Sequence, residues 1–506
     1  MGLAKYYSKN SLALKQLLNS ADLNQFESIL NSHVVEIAFD SDCRTFEGAS
    51  TLDLLIRLIS RLYPSIKVSF LDDSVEKVKA ELEIKARLIN PNIEFSNKAG
   101  TIAVVVGKTI YTPKNKKCPV FYVGTDGWFI KHSTSGPVGS GNTGLPYAAG
   151  VAACIAASNV FRAVFNTFLP PNKFDENLNY DLFAQHFKGK KPKSLKLTLD
   201  NPVLIGFGAI GNGFIWAISK HTGLLGSLTI VDDQELSLSN LQRYVLTTED
   251  QVGIKKVNLL DKAGMVNLVP IDIPWQKYAS LNHRNKLNTL IAAVDSDLTR
   301  IHIQSYLSKK VFNGYTNNGN LGVSSHLNFG IEACLACDYI PTVKKKDRSF
   351  EVAEGLGVLE PKWEEKVRYY LYTGEPVPEA VIKTVAEANG FTFDELSQFV
   401  GKSMDTLYAD FVCGGIILQK NNKVKTERID APLAFESCMA GLLLAMSYIM
   451  NEAGFETKSN CITINPLSSW QHPFNPTPHN IGKDNTGRCL CSDEVYLNIY
   501  NGHYCT

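Results

Sequence analysis

NPVLIGFGAIGNGFIWAISKHTGLLGSLTIVDDQELSLSNLQR runs from Asn201 to Arg243, and its order of residue types sets the fold of the whole chain. Val203-Leu204-Ile205 is a β-branched and apolar run that meets glycines at 206, 208, 211 and 213. An amphipathic segment follows, and a second apolar run from Ser227 to Val231 ends at Asp232. Strand, glycine turn, helix, strand and acid succeed one another. Gly206, Gly208 and Gly211 let the backbone turn tightly and approach a phosphate, whose charge meets the N–H groups of the helix start. Asp232 lies 21 residues past Gly211, where a ribose hydroxyl needs an acceptor. The expectation is a nucleotide site, set against the plainer reading of a close-packed strand-to-helix corner.

The composition allows this. The chain has 506 residues, 44% of them hydrophobic and 20% charged, which suits roughly two to four globular domains of about 150 residues each. A formal net charge of +1 gives no bulk attraction to nucleic acid or to an anionic membrane, so neither is expected as a partner. The opening MGLAKYYSKNSLALKQLLNS has no continuous apolar core of a signal peptide, and Tyr6 stands where a myristoylation signal needs Ser or Thr. No run of 18 apolar residues occurs; 150–165 is the most apolar stretch and is too short to span. Eleven cysteines without an export signal point to a reducing, cytoplasmic setting and to thiol or metal roles.

Before the opening stretch, residues 1–30 read as helical. Val34 to Phe39, Ile66 to Leu71 and Thr101 to Gly107 read as strands, with helices over Thr51 to Leu62 and Ser74 to Leu88. This alternation implies a parallel sheet with right-handed crossovers. The first turn, however, reads Asp40-Ser-Asp-Cys-Arg-Thr, acidic where a phosphate would sit. Val120 to His132 suggests a hairpin around Gly124-Thr-Asp-Gly127. The loop SGPVGSGNTG that follows at 135–144 is either a second phosphate cradle or the entry to a small-residue helix packed closely on another element. Residues 169–196, with Pro170-Pro171 and a lysine run, read as a linker. Further on, Val257 to Leu268 reads as helical, Leu287 to Ala293 as a strand, Leu298 to Leu307 as helical, and Val311 to Ile331 as strands with Asn-Gly turns. Short helices are expected from Lys344 to Gly414, with a capping box at Thr392 to Glu395, and a long apolar helix from Ala431 to Met450.

Ser237-Leu-Ser-Asn-Leu-Gln-Arg243, Val252-Gly-Ile-Lys-Lys256 and Val294-Asp295 add an amide, two cations and a carboxylate to the ribose acceptor. That inventory suits ATP with Mg²⁺ better than NAD, whose pyrophosphate needs no such cations. On these motifs, residues 195–339 closely resemble the adenylation domain of ubiquitin-activating enzymes and the bacterial ThiF/MoeB-like sulfur-carrier adenylyltransferases. The resemblance extends more loosely over the region from 431 onward. It implies ribose binding by Asp232, phosphate contacts by Asn240 and Arg243, charge neutralisation by Lys256, and Mg²⁺ binding with a catalytic role by Asp295. It also implies a chemistry in which the C-terminal glycine carboxylate of a ubiquitin-like protein attacks the α-phosphorus of ATP. The acyl adenylate is then captured by an enzyme thiol and passed to a conjugating enzyme.

Cys334-x-x-Cys337 and Cys489-x-Cys491 supply four thiolates for a structural Zn²⁺, the second pair shorter than the two CxxC pairs common in the family. Cys413, between glycine-flanked residues at the end of the helical region, is the candidate thioester nucleophile; Cys438 inside the apolar helix is the other. Two positions depart from the family. Gln234 stands where a second acid is common. No arginine precedes Arg44, leaving Lys5, Lys9 and Lys15 where the family draws an ATP-contacting arginine from the N-terminal helix.

The reading is therefore an α/β chain of two Rossmann-like adenylation halves forming an internal pseudo-dimer, with a mostly α-helical insertion. Its segments are an inactive half at 1–168, a linker at 169–196, an active half at 197–343 and 429–506, and the insertion carrying Cys413 at 344–428. ATP, Mg²⁺ and Zn²⁺ are the expected cofactors, and oligomers are compatible with it. The resemblance suits a compact bacterial enzyme. A sulfur-carrier adenylyltransferase and a non-catalytic nucleotide-binding scaffold remain as competing functions.

Overall fold

The computed structural model describes residues 2–7, 10, 14, 23–169, 174–283, 285–317, 319–340, 348–358, 360–413, 432–473 and 475–504. Side chains at 23, 24, 361, 409, 412 and 413 lie outside that description. Most of the helix expected over residues 1–30 is likewise outside it, apart from a helix at Leu23–Ser32. The chain divides into two compact units. One comprises Met1–Lys5, Glu27–Ile340 and Pro432–Thr506, and the other Tyr6–Phe26 and Pro341–Ala431.

The larger unit holds two sheets. The first comprises β1 (Val35–Phe39), β2 (Ser65–Phe70), β3 (Glu94–Phe95), β4 (Ile102–Val106), β5 (Val120–Asp126), β6 (Phe129–Ser133) and β7 (Asn177–Asp181), in the order β3-β2-β1-β4-β5-β6-β7. The second comprises β8 (Leu197–Ile205), β9 (Leu224–Val231), β10 (Lys262–Ala263), β11 (Val266–Ile271), β12 (Thr289–Ala292) and β13 (Lys310–Asn317). It continues with β14 (Asn320–His326), β15 (Cys461–Ile464) and β16 (Thr477–His479), in the order β10-β11-β9-β8-β12-β13-β14-β15-β16. In both, the first strand is central, the next long crossovers run parallel to one side and then the other, and the last strands turn antiparallel. Setting aside β10 and β16 at the edges of the second sheet, the two sheets follow one path. β1 and β4 are buried at every position, as strands covered on both faces by helices must be; β4 is an unbroken apolar run, and β1 is apolar but for Glu36, which pairs with Lys67.

The small-residue helix is Tyr147–Val164, and the late apolar helix is Ala434–Glu452. Both are long and apolar enough to cross a membrane by composition, yet 94% of each apolar window is buried inside the fold. Small residues decide how they pack. A Cβ on Gly441 would lie 2.2 Å from the Ile210 carbonyl oxygen, and one on Gly213 2.5 Å from that of Cys438. The Ala434–Glu452 helix therefore meets the glycine-turn helix, Ala209–Lys220, backbone against backbone. A Cβ on Gly150 would strike Leu442 and Trp216, so the small-residue helix packs onto the other half as its alanines and glycines suggested.

Two expectations are corrected. Residues 169–196 are not a plain linker: Asn177–Asp181 pairs antiparallel with β6 as the seventh strand, and Phe183 and Phe187 are buried beyond it. Val257 to Leu268 is not helical. Gly264, at φ +64°, turns the chain between β10 and β11, and a Cβ there would lie 2.7 Å from the Ser219 carbonyl oxygen. Of the two readings of the 135–144 loop, entry to a close-packed helix holds and a phosphate cradle does not. Its Thr143 N–H and hydroxyl donate to Glu47, and its Ser140 N–H donates to Asp42. Glu47 is fully buried and also accepts from the Thr125 hydroxyl at 2.6 Å and from the Gly127 N–H. Asp40, at the end of β1, accepts N–H groups of Asp42, Lys108 and Thr109. Carboxylates of the protein thus occupy the donors of the first turn.

The smaller unit is helical where described, with Arg348–Gly355, Pro361–Thr373, Glu379–Asn389, Phe393–Leu396 and Met404–Leu407 as α-helices. Glu395 closes the expected capping box on the Thr392 N–H at 2.7 Å.

Candidate functional site

The site is built at the end of β8. Gly206 takes φ +89°, where a side chain would strike the Ala293 carbonyl oxygen at 2.6 Å, and a Cβ on Gly211 would lie 2.5 Å from the Gly206 carbonyl. These two glycines are needed by the turn itself. Gly208 differs: it is the N-cap of the Ala209–Lys220 helix, no side chain caps it, and a Cβ there would meet only the Tyr244 hydroxyl, 3.4 Å away. Space and helix-start donors coincide there, the combination an anion requires. Asp232 closes the turn from β9. Its Oδ2 accepts the Phe207 N–H at 2.7 Å and its Oδ1 the Gln234 N–H at 2.9 Å.

The segment after Asp232 folds back over the turn. Asn240 receives the Ser237 N–H on its Oδ1 at 3.0 Å, so its part in holding the short turn Leu238–Gln242 leaves Nδ2 to reach a ligand. Arg243 follows that turn, its guanidinium 5.7 Å from the centre of the Tyr244 ring. Lys256 is 3% exposed and donates to Gln234 Oε1 at 2.6 Å and to the Tyr244 hydroxyl at 3.1 Å. Burial works against its charge, but the Tyr244 hydroxyl and the Asp232 carboxylate outweigh it and hold the ammonium above the ordinary lysine range. Gln234, the departure from a second acid, is thereby the acceptor that orients Lys256.

Asp295 lies two residues past Ala293, whose carbonyl packs against Gly206, and its side chain is exposed. Ser296 caps the next helix, Asp297–Ser305, and Arg300 on that helix is buried. Arg300 donates to Asn313 Oδ1 at 3.0 Å and to the Val294 carbonyl, and stacks 4.9 Å from the centre of the Tyr339 ring. It fixes the strand end that presents Asp295. Sequence reading missed both Tyr244 and Arg300. A cation on the buried face beside Ile303 was the available signal for Arg300; Tyr244 offered none beyond adjacency to Arg243.

Lys5 ion-pairs with Glu249, outside this cluster. Lys9 and Lys15 lie outside the described residues, and so does the side chain of Cys413, whose backbone ends the π-turn Tyr408–Cys413. Cys438 is fully buried.

Cys334, Cys337, Cys489 and Cys491 converge, all four sulfurs within 4.8 Å of one another. Their hydrogen-bond-range separations run from 3.4 Å (Cys334 to Cys489) to 3.9 Å (Cys334 to Cys337). Tetrahedral Zn²⁺ with Zn–S near 2.3 Å places its sulfurs about 3.8 Å apart, so the donor set fits that ion. The cluster sits among Leu307, Phe329, Ala336 and Tyr500 and ties the segment around 489–491 to the end of β14.

Family models match both halves of the chain. The model of the ThiF family matches residues 188–359, and that of Prokaryotic E2 family C matches 38–166. A Sinorhizobium fredii protein, y4jF, is 34% identical over 517 residues, covering 100% of this chain and 98% of that one. The adenylyltransferase and sulfurtransferase UBA4 of Debaryomyces hansenii is 27% identical over 187 residues, 33% of this chain and 40% of its own. Among solved structures, Escherichia coli MccB with MccA-N7isoASN has 16% identity and a TM-score of 0.35, over 58% of this chain and 67% of that one. The structure of MccB with ATP gives 16%, 0.34, 58% and 67%. The chain belongs to the ThiF/MoeB-like adenylating enzymes, in one full-length family with y4jF.

Proposed function

We propose that this enzyme adenylates the C-terminal glycine carboxylate of a ubiquitin-like protein and then carries it as a thioester. The single observation that supports the first step most is the hydrogen-bonded chain Tyr244–Lys256–Gln234–Asp232–Phe207 beside an uncapped helix start at Gly208. Asp232 accepts the ribose hydroxyls. The N–H groups after Gly208, with Asn240, Arg243 and Lys256, stabilise charge on the phosphate oxygens as pyrophosphate leaves. When bound, Mg²⁺ on Asp295 supplies further charge stabilisation. The four cysteines hold Zn²⁺ as a structural ion. The two halves, alike in strand order, act as an internal pseudo-dimer in which only the second, 197–343 with 429–506, holds a nucleotide.

Cys438 is sealed in the Ala434–Glu452 helix, which favours Cys413, in the 344–428 insertion, as the thioester nucleophile. The first half's match to Prokaryotic E2 family C supports a protein or peptide partner and transfer within a conjugation pathway. The adenylyltransferase and sulfurtransferase UBA4 favours a second reading, sulfur-carrier adenylation ending in a thiocarboxylate. The test is ATP–pyrophosphate exchange with glycine-terminated carriers encoded beside this chain. Wild type should exchange, and Asp295→Asn should lose exchange by at least about a hundredfold without losing stability, its side chain being exposed. A thiol-labile adduct lost in Cys413→Ala decides for the thioester, and a thiocarboxylate product for the second reading. Absence of exchange with every carrier would leave a binding scaffold.

A further inference from the structure

The first half reaches into the nucleotide site through its helix Phe46–Leu62. Arg61, 1% exposed, donates to the Tyr244 carbonyl and, at 2.8 Å, to that of Thr247. Arg57 donates to the Val245 carbonyl at 3.0 Å, and its Nε lies 3.2 Å from Asp53 Oδ2. Asp53 in turn accepts from Trp216 Nε1 at 2.9 Å and pairs with Lys220 at 3.4 Å, both on the glycine-turn helix, as well as with Lys85. Three successive contacts therefore pin the backbone from Tyr244 to Thr247, and one carboxylate pins the helix whose start faces the ligand.

That backbone is the hinge of the site. The Tyr244 carbonyl points to Arg61 while its hydroxyl meets Lys256 and shadows Gly208; Arg243 precedes it directly. On the other side, the Leu246 N–H donates to Asn212 on the glycine-turn helix at 3.2 Å. A shift of the Tyr244–Thr247 backbone would move Lys256's partner and Arg243 together. A guanidinium suits this task because one rigid, planar group can hold two carbonyls at once, as Arg61 Nη2 holds those of Tyr244 and Thr247.

We infer that Arg57 and Arg61 are positioning residues for the nucleotide, through which the half without a site of its own sets the phosphate-binding geometry of the other. This rests on the adenylation reading above. It assigns the first half a working part in the reaction rather than a purely architectural one.

The test uses the full-length chain, with Mg-ATP binding measured by calorimetry and backbone amide exchange followed over residues 244–247. Arg61→Ala should weaken Mg-ATP binding about tenfold or more and speed amide exchange there, with Arg61→Lys recovering part of both. Arg57→Ala, at a position 18% exposed and so less tightly enclosed than Arg61, should do the same more mildly and serves if Arg61→Ala fails to fold. Both arginine variants binding Mg-ATP with wild-type affinity below their unfolding temperatures would overturn the inference. Wild type failing to bind Mg-ATP would overturn the adenylation reading instead, and the inference with it.

Discussion

Replacing Gly208 by alanine separates the glycine that serves a ligand from those that serve the turn. The added methyl would meet only the Tyr244 hydroxyl, at 3.4 Å, and the N-cap φ of −75° is open to any residue. Losing a good N-cap type costs about 1 kcal/mol, so the thermal midpoint should fall by no more than a few degrees. A phosphate lying against the helix start, however, would meet that methyl. Overpacking of about 1–3 kcal/mol corresponds to roughly 5- to 150-fold weaker Mg-ATP binding. Gly211→Ala is the counterpart. Its Cβ would sit 2.5 Å from the Gly206 carbonyl oxygen, so about 1–3 kcal/mol is lost from the fold whether or not nucleotide is present. Calorimetric titration with Mg-ATP and thermal unfolding of both variants provide the comparison. Gly208→Ala binding Mg-ATP as wild type does would refute the placement of the phosphates.

The cysteine cluster should bring down one zinc per chain by elemental analysis, and Cys491→Ser should lower the zinc content and the unfolding temperature together, since its sulfur lies 3.5 Å from Cys337 and 3.6 Å from Cys489. Stability should also depend on acid. Burial depresses His132, His186 and His326 to about 4. Each must stay neutral in the fold but charges readily once unfolded. Their contribution is complete above pH 6.5 and is lost as pH falls towards 4, about 2 kcal/mol apiece between pH 7 and 5. A urea midpoint that stays level between pH 7 and 5 would contradict this, and His132→Gln should flatten the fall.

The elements whose cause is local were legible in the chain. The glycine turn, Asp232, Lys256 and the strand leading to Asp295 follow from residue types a few positions apart, and the structure joins all but Asp295 through one chain of hydrogen bonds. Partners joined across a hundred residues or more were not. Arg57 and Arg61 sit on a helix whose apolar stripe reads as ordinary core, and only the fold reveals that their donors meet carbonyls at 244–247. Asn177–Asp181 lacks an apolar run because it lies at a sheet edge, where alternate residues face solvent. Residues 257–268 carried helix-like spacing too short to outweigh the positive φ of Gly264. Glu47 gave no signal either, because an acid in a first helical turn is ordinary.

Glu47 has a further consequence. A solution anion leaves its cradle when dilute and competes with every other salt, whereas a carboxylate carried on the chain cannot dissociate. Its effective concentration is fixed by the fold. Under the proposed function, the first half is then deaf to the nucleotide level, and the second half alone answers to it. A polypeptide with two working cradles could start two carriers at once and release them in either order. With one cradle filled from within, the proposed function gives each chain a single queue.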